Sequence, residues 1–579
     1  MKLPRLDLRR KSALVLLFLL LPLLPLAAQA PEGGETAEAE DPLADFYIET
    51  VDVNVVNVDV YVTDKDGNSV SGLTLDDFEV YEDGQPVDVS NFYAVEDGTP
   101  THGAIPVEPE TGGVPELRRT QLQELQVPED QRLHMIVYFD NQFLKPFSRN
   151  RVTRQVRLFL HEHLGPQDEV MLVTYDKSLH VRHPFTTDRR AIADALYDIE
   201  TLTAHRVAGD SERRDVLRNV EMAREQIQAE SHVEFYAKRI YHELDGSIRA
   251  LKELVGSLAG LPGRKALLYV TDGLPMTAAE DLFYMLDMRY GARGTGKLLS
   301  TRYTARRRFR ELNNHANANR VTFYTLEAAG LRSHDSLSAE YGGRAGSQLT
   351  EGSYSEVDFV RMTNETEPLQ MMALDTGGLS AFNTNNIAGA LDQMARDFRN
   401  YYSLGYMPRH NNVGRYHKIE VKVKERGLKV RHRTGYRDKT AETRINEGTV
   451  ATLLYGREMN PLDVELEVER AQARDDGLFL VPLLVRIPIG KVTLIPQEAL
   501  HRGRLRISVA VIDDEGELSP IDQQPVPIDI PAGDLELARD KFWIYEAQLL
   551  MRPGRQKVAV GVRDDFAGET SFVRMPVTI

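Results

Sequence analysis

Two apolar runs each end on an acid. Leu133-His134-Met135-Ile136-Val137-Tyr138-Phe139 stops at Asp140, and Ala266-Leu267-Leu268-Tyr269-Val270-Thr271 stops at Asp272. Apolar, β-branched and aromatic runs of this length read as strands buried on both faces of a parallel sheet. Open α/β sheets bind their ligands at the C-terminal ends of such strands. If the two strands are neighbours, two carboxylates share one crevice, and they repel unless a proton or a cation lies between them. A hard divalent cation with oxygen ligands, most simply Mg²⁺ retaining some waters, suits that pair. Thr186 and Thr187, just before a helical stretch, offer a hydroxyl, although Thr187 taken alone suits a helix N-cap better than a ligand. Without a cation, both acids would accept hydrogen bonds from loop amides at the sheet edge.

The flanking pattern supplies the elements that would hold these acids. Over residues 130–400 strand-like and helix-like stretches alternate, which implies an α/β Rossmann-like domain with helices on both faces of a mostly parallel sheet. Val152, Val156, Phe159 and Leu160 recur at helical spacing, as do Ile240, Leu244, Ile248, Leu251, Val255 and Leu258. Residues 330–368 read as a long polar excursion. Residues 46–98 alternate with period two, as in a small all-β sandwich, with a change of phase at Val55-Val56 that suggests a bulge. Residues 99–129 form a connector rich in proline and glutamate. Residues 401–440 read as a β-hairpin extension in which the segment from Leu428 to Tyr436 returns against Ile419, Val421 and Val423. Residues 445–579 read as a C-terminal β-sandwich.

Composition narrows the function classes. The 579 residues carry 87 acids against 70 bases, a net charge of −17, which argues against general nucleic-acid binding. There is no cysteine, so disulfides, thiolate metal sites and a cysteine nucleophile are excluded. Lys2, Arg5, Arg9, Arg10 and Lys11 precede the apolar run Ala13 to Leu26, and Ala28-Gln29-Ala30 follows, so residues 1–30 read as a secretory signal peptide. An acidic linker, 31–45, comes next. A secreted, periplasmic or cell-envelope location follows from that reading. No later stretch is long and apolar enough to span a membrane. Arg302, Arg306, Arg307, Arg308 and Arg310 read as the solvated face of a helix whose apolar side holds Phe309 and Leu312. Gly294-Thr295-Gly296-Lys297 lacks the spacing of a phosphate loop, and His161-Glu162-His163 places its histidines on different sides of a helix. No Gly-x-Ser-x-Gly elbow is present.

Several ordered segments carry a resemblance. Phe139-Asp140, Pro184-Phe185-Thr186-Thr187-Asp188 and Gly263-Arg264-Lys265-Ala266 through Asp272-Gly273 resemble the von Willebrand factor type A domain. The chain is more closely similar to secreted bacterial VWFA-related proteins. That likeness adds Val60-Tyr61-Val62-Thr63-Asp64, Phe78-Glu79-Val80-Tyr81-Glu82-Asp83-Gly84, Asp375-Thr376-Gly377-Gly378, Tyr401 through Pro408 and Lys418 through Val423. The resemblance covers roughly residues 48–437. It implies a metal-ion-dependent adhesion site in which a partner's acid completes the coordination of Mg²⁺, with Asp140 as the first aspartate, Asp272 as the later one and Thr186 or Thr187 as the threonine. Gln142 and Leu144 stand where that motif has serines. Glutamine offers a carbonyl oxygen and leucine offers nothing, so weak or absent Mg²⁺ binding is expected. The resulting expectation is an exported, non-enzymatic module that binds a protein partner in the envelope or extracellular space. The alternatives are a structural part of an envelope assembly and, less favoured, a hydrolase using Asp140 and Asp272.

Overall fold

The structure, a computed structural model, describes residues 55–103, 132–291, 295–331, 351–410 and 414–579. The expected signal peptide, the acidic linker and residues 104–129 of the connector lie outside the described residues. The chain forms two units, Asn54–Thr440 and Ala441–Ile579. Among the described residues no helix is long and apolar enough to cross a membrane.

The first unit opens with β1 (Val56–Thr63), β2 (Phe78–Glu82), β3 (Gln85–Val87), β4 (Val89–Glu96) and β5 (Thr99–Gly103). Residues 99–103, expected at the start of the connector, are thus a strand paired with β4. The α/β part follows with β6 (Leu133–Asp140), α1 (Pro146–His163), β7 (Glu169–Tyr175), β8 (Leu179–Thr186), α2 (Arg189–Glu200), α3 (Arg206–Met222), α4 (Gln226–Ser257) and β9 (Arg264–Thr271). It continues through α5 (Glu280–Tyr290), α6 (Thr295–Ser300), α7 (Arg306–Ala318), β10 (Val321–Glu327), α8 (Glu351–Thr376), β11 (Ser380–Ala381) and α9 (Ile387–Arg399). The sheet order is β11-β10-β9-β6-β7-β8, parallel throughout except for the antiparallel edge strand β8.

Every residue of β6 and β9 is buried, which is why both read as unbroken apolar runs rather than alternating ones. Helices α1, α2 and α9 cover one face: Val152, Val156, Ile192, Leu196, Ile387 and Leu391 pack with Val137, Phe139 and Val270 in a single core. The polar excursion expected at 330–368 is α8 from Glu351 onward. Pro368 inside that helix masked it in the sequence, because proline removes an i to i−4 hydrogen bond. Of the arginine-rich stretch, Arg306, Arg307, Arg308 and Arg310 lie in α7, with Phe309 and Leu312 fully buried, and Arg302 lies in a turn before it.

The chain then returns to β-structure: β12 (Tyr401–Tyr406), β13 (Tyr416–Val423), β14 (Lys429–His432) and β15 (Gly435–Arg437). These strands do not form a separate hairpin extension. β12 lies between β1 and β4 in a sheet ordered β14-β1-β12-β4-β5, and β13 lies between β15 and β2 in a second sheet, β15-β13-β2-β3. The two sheets share one core of Val58, Val60, Val80, Leu404, Ile419 and Val421 with their neighbours. Alternation reveals a strand and its buried face but not its partner. The expected division into a domain over 46–98 and an extension over 401–440 therefore gives way to one sheet pair built from both ends of the unit. A buried cluster ties that pair to the α/β part. Arg431 grips Asp397 of α9 with two hydrogen bonds of 2.9 and 2.6 Å, and the Arg264 guanidinium lies 3.5 Å from the centre of the Tyr401 ring.

The second unit begins with α10 (Ala441–Tyr455), followed by β16 (Glu465–Val468), β17 (Gln472–Ala473), β18 (Phe479–Pro488), β19 (Ile495–Gln497), β20 (Leu500–Ile512), β21 (Asp522–Pro531), α11 (Leu535–Ala538), β22 (Phe542–Met551), β23 (Arg555–Asp564) and β24 (Thr570–Thr578). One sheet centres on β18 with β16, β17 and β22, and the other on β20 with β19, β21, β23 and β24. Val481, Leu483, Leu549, Ile507 and Val560 meet in a common core.

Candidate functional site

β6 and β9 are neighbours in register, with Phe139 opposite Val270, so the two acids leave adjacent strand ends as expected. Their environments differ. Asp140 is fully buried. Its Oδ2 accepts the Ser247 hydroxyl of α4 at 2.5 Å and the Tyr269 hydroxyl of β9, while Oδ1 accepts the Gln142 N–H at 3.1 Å. Burial pushes the Asp140 pKa up to about 6 despite the opposing pull of those donors. Tyr269 stacks on Tyr138 with ring centroids 5.3 Å apart, which fixes the phenol against the acid. Asp272, 2% exposed, accepts the Lys145 N–H at 2.8 Å immediately before α1. A carboxylate at a helix N-terminus meets unsatisfied N–H groups and the positive end of the helix dipole.

The other expected ligands do not converge on these acids. Thr186 pairs with Val170 at the start of β7, whereas Asp140 pairs with Tyr175 at its end. Five residue steps, roughly 17 Å at about 3.3 Å each, separate those positions. Thr186 accepts the Asp188 N–H at 3.0 Å instead, and Thr187 beside it is exposed. The N-cap of α2 is Asp188, whose carboxylate accepts the Arg190 and Ala191 N–H groups, so Thr187 serves neither as ligand nor as cap. Leu144 is packed into the main core. Gln142 is at the correct edge, 8% exposed, and its Oε1 accepts no hydrogen bond among the described residues. Two threonines at the far edge, an aliphatic side chain and an acid already engaged by two hydroxyls and an amide do not fit the near-ideal octahedron that Mg²⁺ requires.

Around the two acids stands a set of ion pairs that composition gave no means of locating. The loop between α2 and α3 folds onto the β6 exit: the His205 N–H donates to Asn141 O at 2.8 Å and the Arg206 N–H to Leu144 O at 3.2 Å. Arg206 is thereby buried. Its guanidinium bonds to Glu365 of α8 and lies 3.4 Å from the Gly273 carbonyl and 3.5 Å from Asp210. Arg361 binds Asp210 at 2.7 Å and Glu365 at 3.2 Å, and the Lys145 ammonium lies 2.8 Å from Asp210. Burial alone would raise the Asp210 pKa, but Arg206, Arg361 and Lys145 outweigh it and hold the carboxyl well below its ordinary value. Pro368 contributes as well. It leaves the Asn364 carbonyl without its helical donor, and the Met276 N–H fills that vacancy at 2.9 Å, docking the β9 exit loop against α8.

Over this network lies a pocket of about 240 Å³. Gln142 and Phe143 after β6, Lys177 after β7 and Pro275 after β9 form its sheet side, and residues of α3, α4, α5 and α8, with His205 and Ala279 beside them, form the remainder. Neither Asp140 nor Asp272 lines it. Its five basic residues (Lys177, Arg206, Arg213, Arg239, Arg361) face five acids (Asp210, Glu212, Glu243, Asp281, Glu365), so the walls are charge-balanced. Sequence reasoning missed these residues. Ser247 alone left a trace, a hydroxyl on the otherwise apolar stripe between Leu244 and Ile248.

No family model matches the chain. No curated protein matches it either. Among solved structures it is similar to a von Willebrand factor type A protein from Catenulispora acidiphila, at 9% identity over 77% of this chain and 66% of that one, with a TM-score of 0.19. It is also similar to the conserved hypothetical protein BatB from Bacteroides thetaiotaomicron, at 11% identity over 46% of this chain and 96% of that one, with a TM-score of 0.20. A point mutant of the PilB minor pilin from Streptococcus sanguinis gives 9% identity over 62% of this chain and 91% of that one, with a TM-score of 0.26. At such identities and TM-scores these likenesses carry no argument about family or activity.

Proposed function

We propose that the protein is an exported, non-enzymatic type A module that binds a protein partner through the pocket at the C-terminal edge of its parallel sheet, without a metal ion. The observation that carries this reading is the pocket itself: a charge-balanced cavity at the position where open α/β sheets bind ligands, with the unpaired Gln142 Oε1 among its lining groups. A volume of about 240 Å³ suits one or two side chains of a partner, and the unpaired acceptor favours an occupant that brings an N–H or O–H donor. Burial of Asp140 and Asp272, neither of which lines the pocket, favours this reading over the hydrolase alternative.

Ala208 is exposed on α3 and rims the pocket, so Ala208→Trp fills the cavity from outside with no buried group disturbed. Affinity capture from envelope extract, with a chelator present throughout, is expected to recover a partner on the wild type and to lose it on Ala208→Trp. Recovery by both proteins would place the interface elsewhere, and a partner seen only when Mg²⁺ is added would restore the metal to the mechanism.

A further inference from the structure

A second group of polar side chains lies in the sheet pair, apart from the pocket. β2 ends on Glu82, and Asp83 and Gly84 turn the chain into β3 with φ of 49° and 82°. β13 runs antiparallel beside β2 with Ile419 opposite Glu82, which brings His417 to the turn. The His417 Nδ1 lies 2.8 Å from Asp83 Oδ2, and Asp83 Oδ1 accepts the Lys418 N–H at 2.8 Å. Glu82 is 4% exposed and His417 6%. Glu82 Oε2 accepts the Tyr436 hydroxyl at 3.1 Å. Nitrogen and oxygen donor atoms of Glu82, Asp83 and His417 all lie within 4.8 Å of one another.

The protonation pattern follows from these contacts. The hydrogen bonds from His417 and from the Lys418 N–H favour the charged form of Asp83. An ionised carboxylate can only accept, so Nδ1 carries a proton towards Asp83. Nε2 is buried and has no hydrogen-bond partner. As a metal ligand Asp83 would give up its bond to Nδ1, and either imidazole nitrogen is an ordinary ligand for such an ion. The His410 ring stacks on His417 with centroids 5.4 Å apart and stands exposed beside the group as a further donor.

We propose that Glu82, Asp83 and His417 form a site for a divalent transition-metal ion, Zn²⁺ being the best suited, that ties the β2–β3 turn to β13. Imidazole with carboxylate oxygens suits Zn²⁺, whereas Mg²⁺ prefers oxygen alone. Ligands about 2.1 Å from a tetrahedral ion lie roughly 3.4 Å apart, so donor atoms within 4.8 Å of one another must close by up to about 1.4 Å. Asp83, with its side chain half exposed, has room to move. The site would join chain segments 334 residues apart in sequence.

Thermal unfolding of the full chain, first stripped with EDTA and then given 100 µM Zn²⁺, tests the site. The melting temperature is expected to rise by several degrees with Zn²⁺ and to stay put with the same concentration of Mg²⁺. His417→Gln and Glu82→Gln should abolish the rise, while His161→Gln, on an exposed face of α1, should retain it. Absence of a rise in the wild type, or a rise kept by both site variants, overturns the proposal. If either variant fails to fold in EDTA, anomalous scattering at the zinc edge from wild-type crystals decides: a peak beside His417 supports the site and its absence refutes it.

Discussion

Asp140 behaves as an acid that the fold prefers to keep protonated. Its ordinary carboxyl pKa of 3.8 rises to about 6 through burial. The native state therefore binds more protons than the unfolded chain between those values, and this residue's contribution to stability falls as pH rises from about 4 to about 6, then levels off. The span corresponds to roughly 3 kcal/mol. Asp140→Asn removes the titration, so the variant should gain on the wild type between pH 4.5 and pH 7.5. Urea midpoints of the two proteins at both pH values measure this, and subtraction cancels groups such as Asp210 that shift the opposite way. An unchanged difference would mean that Asp140 is solvated in solution. The paired acids were legible because each closes an unbroken apolar run. Thr186 and Thr187 were misplaced for a definite reason: β8 reverses direction, and a local pattern does not say which edge of the sheet a loop after an antiparallel strand reaches. Arg206 sat in a charged stretch and Arg361 in the stretch read as a polar excursion, where nothing distinguishes a buried arginine from a solvated one.

Helix packing shows the same division between what a sequence pattern tells and what it hides. The second unit read as β-structure in the sequence, while α10 went unnoticed in it. Its place is set by two glycines. A Cβ at Gly448 would run into the Phe572 ring, and one at Gly561 would meet the Thr449 hydroxyl and come within 3.0 Å of Ile445. Close approach of the helix to β23 thus depends on a missing side chain, a feature with no periodicity. Gly561→Ala is expected to destabilise this unit by about 1–3 kcal/mol, the usual range for overpacking a filled core. A calorimetric scan of the full chain should show the loss in one transition if the units melt separately. An unshifted profile would mean that α10 can lift away at little cost.

At the scale of the first unit, one buried ion pair lies at the joint between the sheet pair and the α/β part. Asp397, 3% exposed, is held by Arg431 and also accepts the Tyr324 hydroxyl at 3.2 Å. Asp397→Ala leaves that arginine without its carboxylate and should cost about 3–5 kcal/mol, whereas Asp397→Leu combined with Arg431→Met should recover most of the loss. Denaturant unfolding of the single and double variants checks both statements. The sheet pair itself has a consequence in time. Tyr402 of β12 hydrogen-bonds Leu73 across 329 residues of sequence, and β1 finds both its neighbours only after β12 and β14 exist. At about 5–20 residues per second of synthesis, β1 waits roughly 20 to 70 s for a partner. Throughout that interval its four inward valines stand on an uncovered edge. A nascent chain of this protein is therefore most exposed to aggregation at its beginning, and a ribosome stalled before Tyr401 would leave a product whose first strands have nothing to close upon.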